Sequence, residues 1–310
     1  MNFYQQSSER MSQRMIPLIL VAMTTVVSAQ DMPLSQVIVE NETWQLVTSG
    51  HEFTDGLTSD DEGNLYFADV KGGTTINKVS VDGKTTVYAS DAPRISGMQF
   101  APDGRLIACQ GGTFGRIVAF TTDGELQVIG EGFKPNDLVV THNGGIYFTE
   151  TPKKQITYIP PHGKAVAADI ANADGGAQRP NGISLSPDQG TLAVSDHGGE
   201  NVWVWRIEPD GKLSHRQPYM TMRLPEPDAA SKGDGMTTDA DGRYYVTTAV
   251  GIQVFDPTGR MSGVIAAPTD KPIVSVAFAG PGLSYLYVAS GEEIYRRKTN
   301  VKGVLFFQQP

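Results

Sequence analysis

Cysteine is nearly absent. Cys109 is the only thiol in 310 residues, so no internal disulfide can form in any compartment. It lies in the apolar run Leu106-Ile107-Ala108-Cys109, where a small buried hydrophobe is expected. Cationic runs are missing too. None exceeds Lys153-Lys154 or Arg296-Arg297-Lys298, and the formal charge is −9. Such a chain lacks the basic footprint that tracks a phosphate backbone, so no nucleic-acid partner is expected. Histidine is scarce: His51, His142, His162, His197 and His215 include no closely spaced pair, which with one Cys disfavours zinc. Gly182-Ile183-Ser184-Leu185-Ser186 stops short of a nucleophile elbow. Asp239-Ala240-Asp241-Gly242 opens like an EF-hand loop without the downstream Glu. No Walker or dinucleotide fingerprint occurs.

Long hydrophobic runs are also absent. The apolar centre from Ile16 to Val27 is too short to cross ~30 Å of hydrocarbon at ~1.5 Å per residue, so no membrane span is expected. Arg10 and Arg14 precede that centre, and the small residues Val27-Ser28-Ala29 follow it. This is the order of a secretory signal, so residues 1–29 are expected to be removed and the chain exported, to a periplasm or beyond. Residues 30–310 are then expected to form one domain.

What the sequence does have is a repeat. Gly63, Gly104, Gly144, Gly190, Gly242 and Gly282 recur at spacings of 40 to 52 residues, each just before a short apolar strand such as Leu65-Tyr66-Phe67 or Ile146-Tyr147-Phe148. A second set of turns follows at Gly83, Gly124, Gly163, Gly211, Gly259 and Gly303. Several are Asp-Gly, which suits hairpins because both residues tolerate positive φ. Two hairpins per unit, six times over, predict an all-β, six-bladed β-propeller; one β-sandwich with that many strands would be unusually large. Trp44-Gln45-Leu46-Val47 reads as a strand without a blade of its own. It is expected to pair with the last blade and close the ring.

About eight residues before each first-turn glycine stand Asp55, Ser96, Asn136, Asn181, Asp234 and Ser275. In a propeller these positions begin the innermost strands and converge on the axis. All six carry a side-chain oxygen and two are acids, which suits a hard divalent cation: Ca²⁺, or Mg²⁺ with its stricter octahedral demand. Turn formation by Asp-Gly and Asn-Gly explains any one of them, but less well the recurrence in every blade. Six residues after each turn glycine comes a second set, Asp69, Gln110, Glu150, Asp196 and Thr248. These are expected either to frame the pocket mouth or to cap loops, with His197 beside Asp196.

The segments FTDGLTSDDEGNLYFAD, KPNDLVVTHNGGIYFTE, RPNGISLSPDQGTLAVSD and GDGMTTDADGRYYVT resemble the senescence marker protein (regucalcin)/gluconolactonase family, to which the six-bladed diisopropyl fluorophosphatase is related. The resemblance runs from about Gly50 to Gly291 and rests on the PND, PNG and DGM boxes. It implies a divalent cation held by Asp55, Asn136, Asn181 and Asp234, with Asp234 also the general base or nucleophile. Two positions depart from the pattern. Asp55-Gly56-Leu57 replaces the EGP box, shortening a carboxylate, and Lys134 replaces an Arg, a point charge in place of a fork.

The implied activity is calcium-dependent hydrolysis of a sugar lactone, a metal-dependent attack by water with Asp234 taking its proton. Lys134, Glu150 and His197 are the expected substrate contacts. A small-molecule substrate and a monomeric protein are expected. The alternatives are a phosphoester or phosphofluoridate hydrolase at the same site, and an exported ligand-binding propeller without catalysis.

Overall fold

Gly-containing turns and short apolar runs of the repeat produce six four-stranded antiparallel sheets and no α-helix among the described residues. The computed structural model describes Met1 and residues 32–70, 72–169 and 175–309. Residues 2–29 of the expected leader lie outside them.

Numbered in chain order, the blades have inner strands Thr54–Ser59, Ile95–Phe100, Leu138–Val140, Pro180–Leu185, Met236–Thr238 and Ile273–Ala279. The second strands are Leu65–Asp69, Leu106–Gln110, Ile146–Glu150, Thr191–Asp196, Tyr244–Thr248 and Tyr285–Ser290. Most residues of these strands are buried, while outer strands such as Thr85–Ala89 expose alternate residues. A sheet buried on both faces needs a neighbour on each side, and the ring supplies both. Six apolar clusters result, one between each pair of adjacent blades. The sixth, with Phe67 and Tyr287, joins blade 6 back to blade 1. Cys109 lies in the cluster between blades 2 and 3, fully buried as expected.

The ring closes where the sequence predicted. Gln45–Thr48 pairs antiparallel with the outermost chain-terminal strand, Glu293–Lys298, in the register Gln45 to Arg296 and Leu46 to Tyr295. Asp31–Pro310 make one compact unit. The last residues cross the floor of the propeller. Val304, Leu305, Phe306 and Phe307 line an axial cavity of about 60 Å³ together with the inner strands, and Gln189 Nε2 donates to the Phe306 carbonyl at 2.7 Å. One end of the axis is therefore stopped by apolar side chains. Chemistry belongs at the other end.

Candidate active site at the mouth of the propeller

The inner strands reach the mouth through irregular backbone. In blades 1, 2, 4 and 6 the pairing of inner and second strands shifts register at Asp55/Thr58, Ile95/Met98, Pro180/Ile183 and Ile273/Ser275. A bulge re-aims the side chain it carries, and here it falls at the predicted axial position each time. In blades 3 and 5 the same place is held by backbone bonds: Asn136 N–H to Thr149 O and Asp234 N–H to Thr247 O, both 2.9 Å.

Contacts pass from blade to blade around the axis. Ser96 Oγ donates to the Asn136 carbonyl at 2.6 Å, and Thr149 Oγ1 to the Asn181 carbonyl at 2.6 Å. Ser195 Oγ donates to the Asp234 carbonyl at 2.9 Å, and Leu57 N–H to Ser275 Oγ at 2.9 Å. Space is the reason glycine follows the axial residue. A Cβ at Gly56 would fall on the Ser96 carbonyl oxygen, and one at Gly182 on that of Asp234. The six predicted positions therefore do converge.

Within that ring the acids are poorly compensated. Burial first, then the charges of Asp234 and Asp137, hold the Asp55 carboxyl well above the usual range, against one N–H bond from Gly56 at 2.7 Å. Burial likewise raises Asp234, opposed by His197, the Gly235 N–H and the Asn181 side chain. His197 Nδ1 stands 3.6 Å from Asp234 Oδ2 and 3.4 Å from Asn181 Nδ2. The Asn136 side-chain amide has no protein hydrogen-bond partner among the described residues. The predicted four ligands thus offer two repelling carboxylates and amide oxygens that the protein leaves unused. A hard cation fits such a set and would relieve the repulsion; a site selective for zinc would need more nitrogen or sulfur. No group of three or more His, Cys, Asp or Glu side chains placed to hold a metal occurs among the described residues, because half of this set is amide.

Asp137 was not anticipated. Burial, with the charge of Asp234, pushes its carboxyl up to about 7, although the N–H groups of Leu138 (2.9 Å) and Ile183 (3.4 Å) donate to it. The signal was available: blades 1, 2, 4 and 5 have glycine at the equivalent place, Gly56, Gly97, Gly182 and Gly235, so an acid there stands out.

The second set has a different role from framing a mouth. Asp69 accepts the N–H groups of Glu52 and Phe53, and Asp196 those of Gln178, Arg179 and Gly198. Glu150 is 1% exposed and fully engaged by Lys134 N–H (2.7 Å), Thr157 Oγ1 (2.7 Å), Gln155 Nε2 (3.2 Å) and Lys153 Nζ (2.7 Å). The expectation of Glu150 as a substrate contact is corrected accordingly: it fastens the loop carrying Lys134. Lys134 itself is exposed, with its side chain free of partners among the described residues. His197 and Asp234 line a cavity of about 490 Å³ together with Lys232, Thr248 and Lys271, large enough for a sugar-sized ligand.

Comparison with known proteins agrees with this architecture. The SMP-30/gluconolactonase/LRE-like region matches residues 53–292. The gluconolactonase of Zymomonas mobilis is 28% identical over 236 residues, covering 68% of this chain and 65% of its own length, so the chain spans slightly less than two thirds of that relative. The lactonase drp35 of Staphylococcus saprophyticus is 30% identical over 251 residues, 74% of each protein. Among solved structures, the calcium-binding protein regucalcin of Agrobacterium tumefaciens superposes with a TM-score of 0.72 at 16% identity, over 87% of this chain and 98% of that one. The chain belongs to the SMP-30/gluconolactonase/LRE-like family.

Proposed function

We propose that this protein opens lactones of polyhydroxy acids by hydrolysis, using a divalent cation, calcium by preference, held by Asp55, Asn136, Asn181 and Asp234. The observation that carries the reading is the under-compensated pair Asp55 and Asp234 at the head of a sugar-sized cavity, with two amides beside them. The relatives named gluconolactonase and lactonase, and the calcium-binding neighbour, point the same way.

When bound, the cation supplies Lewis-acid polarisation of the ester carbonyl. The remaining work belongs to side chains. Asp234 accepts a proton from the attacking water, and burial makes its carboxylate a stronger base than an exposed one. His197, 3.6 Å away, fixes the carboxylate's orientation. The bond from carbonyl carbon to ring oxygen breaks as the new carbon–oxygen bond forms, and the proton held at Asp234 passes to the departing alkoxide. Lys134 and His197 are placed to meet substrate hydroxyls.

D-Glucono-1,5-lactone followed with a pH indicator, in calcium and again in chelator, tests this. Faster opening than buffer, lost with chelator and restored by calcium, is expected. Turnover of an aryl phosphoester but no lactone would reassign the reaction. No turnover of either would leave a binding propeller. We further propose that the protein is exported with Gln30 as its first residue, on the signal-like order of Arg10, Arg14 and Val27-Ser28-Ala29. N-terminal sequencing of protein from outside the cytoplasm checks it.

A further inference from the structure

Two residues before the axial acceptor, four consecutive blades carry a cation: Arg94 before Ser96, Lys134 before Asn136, Arg179 before Asn181 and Lys232 before Asp234. Blades 6 and 1 have Ile273 and Phe53 there instead. All four cations are exposed, and none makes a side-chain hydrogen bond or ion pair among the described residues. Elsewhere on this face the opposite habit prevails: Lys153 is tied to Glu150, and Lys271 to Glu292 and Glu293. Acids do occur in the same loops, Asp91, Glu131, Glu200, Asp228 and Asp270 among them, yet they leave the four cations unpaired.

The arc is anchored to the site. Lys232 lines the 490 Å³ cavity with Asp234 and His197. The Arg179 stem lies across Gly198, where a Cβ would meet it at 3.1 Å, next to His197. Arg94 packs in the same way over Gly112, at 3.6 Å. Arg94 and Lys232 also hold left-handed backbone, φ 61° and 53°, which costs free energy at non-glycine residues. Like charges gathered on one rim repel, in a chain whose net charge is −9. An anion placed among them would remove that repulsion, and guanidinium forks match carboxylate or phosphate geometry.

We infer that the preferred substrate is a lactone bearing a second, anionic group, carboxylate or phosphate, remote from the ring ester, and that the arc from Arg94 to Lys232 binds that group. This rests on the lactonase reading above and names its substrate class. The cation at the axis would face the ester while the arc holds the far end, so affinity for the anion also orients the reacting carbonyl.

The test compares kcat/KM for D-glucono-1,5-lactone, D-glucaro-1,4-lactone and 6-phospho-D-glucono-1,5-lactone at low and at 0.5 M salt. One or both acidic lactones should be favoured by about tenfold or more at low salt, with the advantage shrinking as screening increases. The arm that gains more decides between carboxylate and phosphate. In the Arg179→Gln/Lys232→Gln double variant the preference should fall about five- to tenfold, chiefly through KM. Equal or better use of the neutral lactone, or a variant that slows all three alike, overturns the inference while leaving the lactonase reading intact. If no lactone is opened, calorimetry with 6-phosphogluconate against gluconate still decides: selective binding that the double variant loses supports the arc, and equal binding refutes it.

Discussion

Asp196 and Asp234 belong to adjacent blades and face the same end of the propeller, but their surroundings differ completely. Asp196 accepts backbone N–H groups from Gln178 at 2.9 Å, Arg179 at 2.8 Å and Gly198 at 3.1 Å, and is 3% exposed. Asp234 takes only the Gly235 N–H and two side chains, His197 and Asn181, and its carboxyl stays raised by burial. The same split separates Asp69 and Glu150 from Asp55. A satisfied buried acid organises loops, while an unsatisfied one keeps lone pairs and proton affinity for something else. Residue type alone does not tell the two apart; the donors do.

The largest expected effect is at the unsatisfied acid. Asp234→Asn keeps size and an oxygen but removes the charge and the base, so lactone turnover should fall by ~10²–10⁴ even at saturating calcium, with the fold retained by circular dichroism. Full recovery with excess calcium would make Asp234 a ligand only, and Asp137 or His197 the next base to examine.

On the satisfied side, Asp196→Ala strips the partner from three N–H groups at once. Urea denaturation should show a loss of about 3 kcal/mol, and Asp196→Asn a smaller one. A change below about 0.5 kcal/mol for Asp196→Ala would mean that water replaces the carboxylate freely and that the contrast with Asp234 is overstated.

Next in size is the cation. Calcium binding the folded state alone should stabilise it by RT ln(1 + [L]/Kd), about 2.7 kcal/mol at 100 Kd. Asp55→Asn should weaken that response and leave the metal-free protein as stable as wild type or more so, because a buried, repelled charge is gone. An unchanged melting temperature across a calcium–chelator titration of wild type would count against any axial cation.

The fold was legible because propeller geometry imposes its period on turn glycines, which need positive φ; Gly63, Gly104, Gly144 and Gly242 have φ between 82° and 87°. The axial ring was legible for a related reason, since equal blades put equal offsets at one point. The fate of the second set was not. Its donors are backbone N–H groups, such as those of Gln178 and Arg179 for Asp196, and a backbone donor leaves no mark in the sequence. Asp137 was legible in principle and overlooked, because Asn136 beside it fitted the ligand pattern and drew the attention. Arg94, Arg179 and Lys232 each look like an ordinary solvated cation; only blade-by-blade superposition shows the shared position. Asp239, rightly refused as an EF-hand start, proves to be a buried partner of Arg243 and Tyr245, at 3.0 and 2.8 Å.

The smallest effect concerns the second set where the ring is closed. His51 lies between the closing strand and blade 1. Its Nε2 is 3.1 Å from Thr48 Oγ1, its Nδ1 is 3.9 Å from Asp69 Oδ2, and its ring meets the Phe67 ring edge-on at 4.9 Å. Burial lowers its pKa below 6.5, and the Asp69 charge only partly opposes this. The folded state therefore binds the His51 proton less readily than the unfolded chain does. Above about pH 6.5 both states hold neutral imidazole and the contribution is complete; as pH falls through the unfolded value, the unfolded chain gains protons first and stability is lost. The raised axial acids respond in the opposite direction, so calcium-saturated protein and a difference between variants are needed. Urea midpoints at pH 7.5 and 5.5 should fall further on acidification for wild type than for His51→Gln. Equal slopes would mean that Asp69 stabilises the imidazolium as much as burial penalises it. His51 would then be one more donor to a satisfied acid, not a neutral ring packed on Phe67.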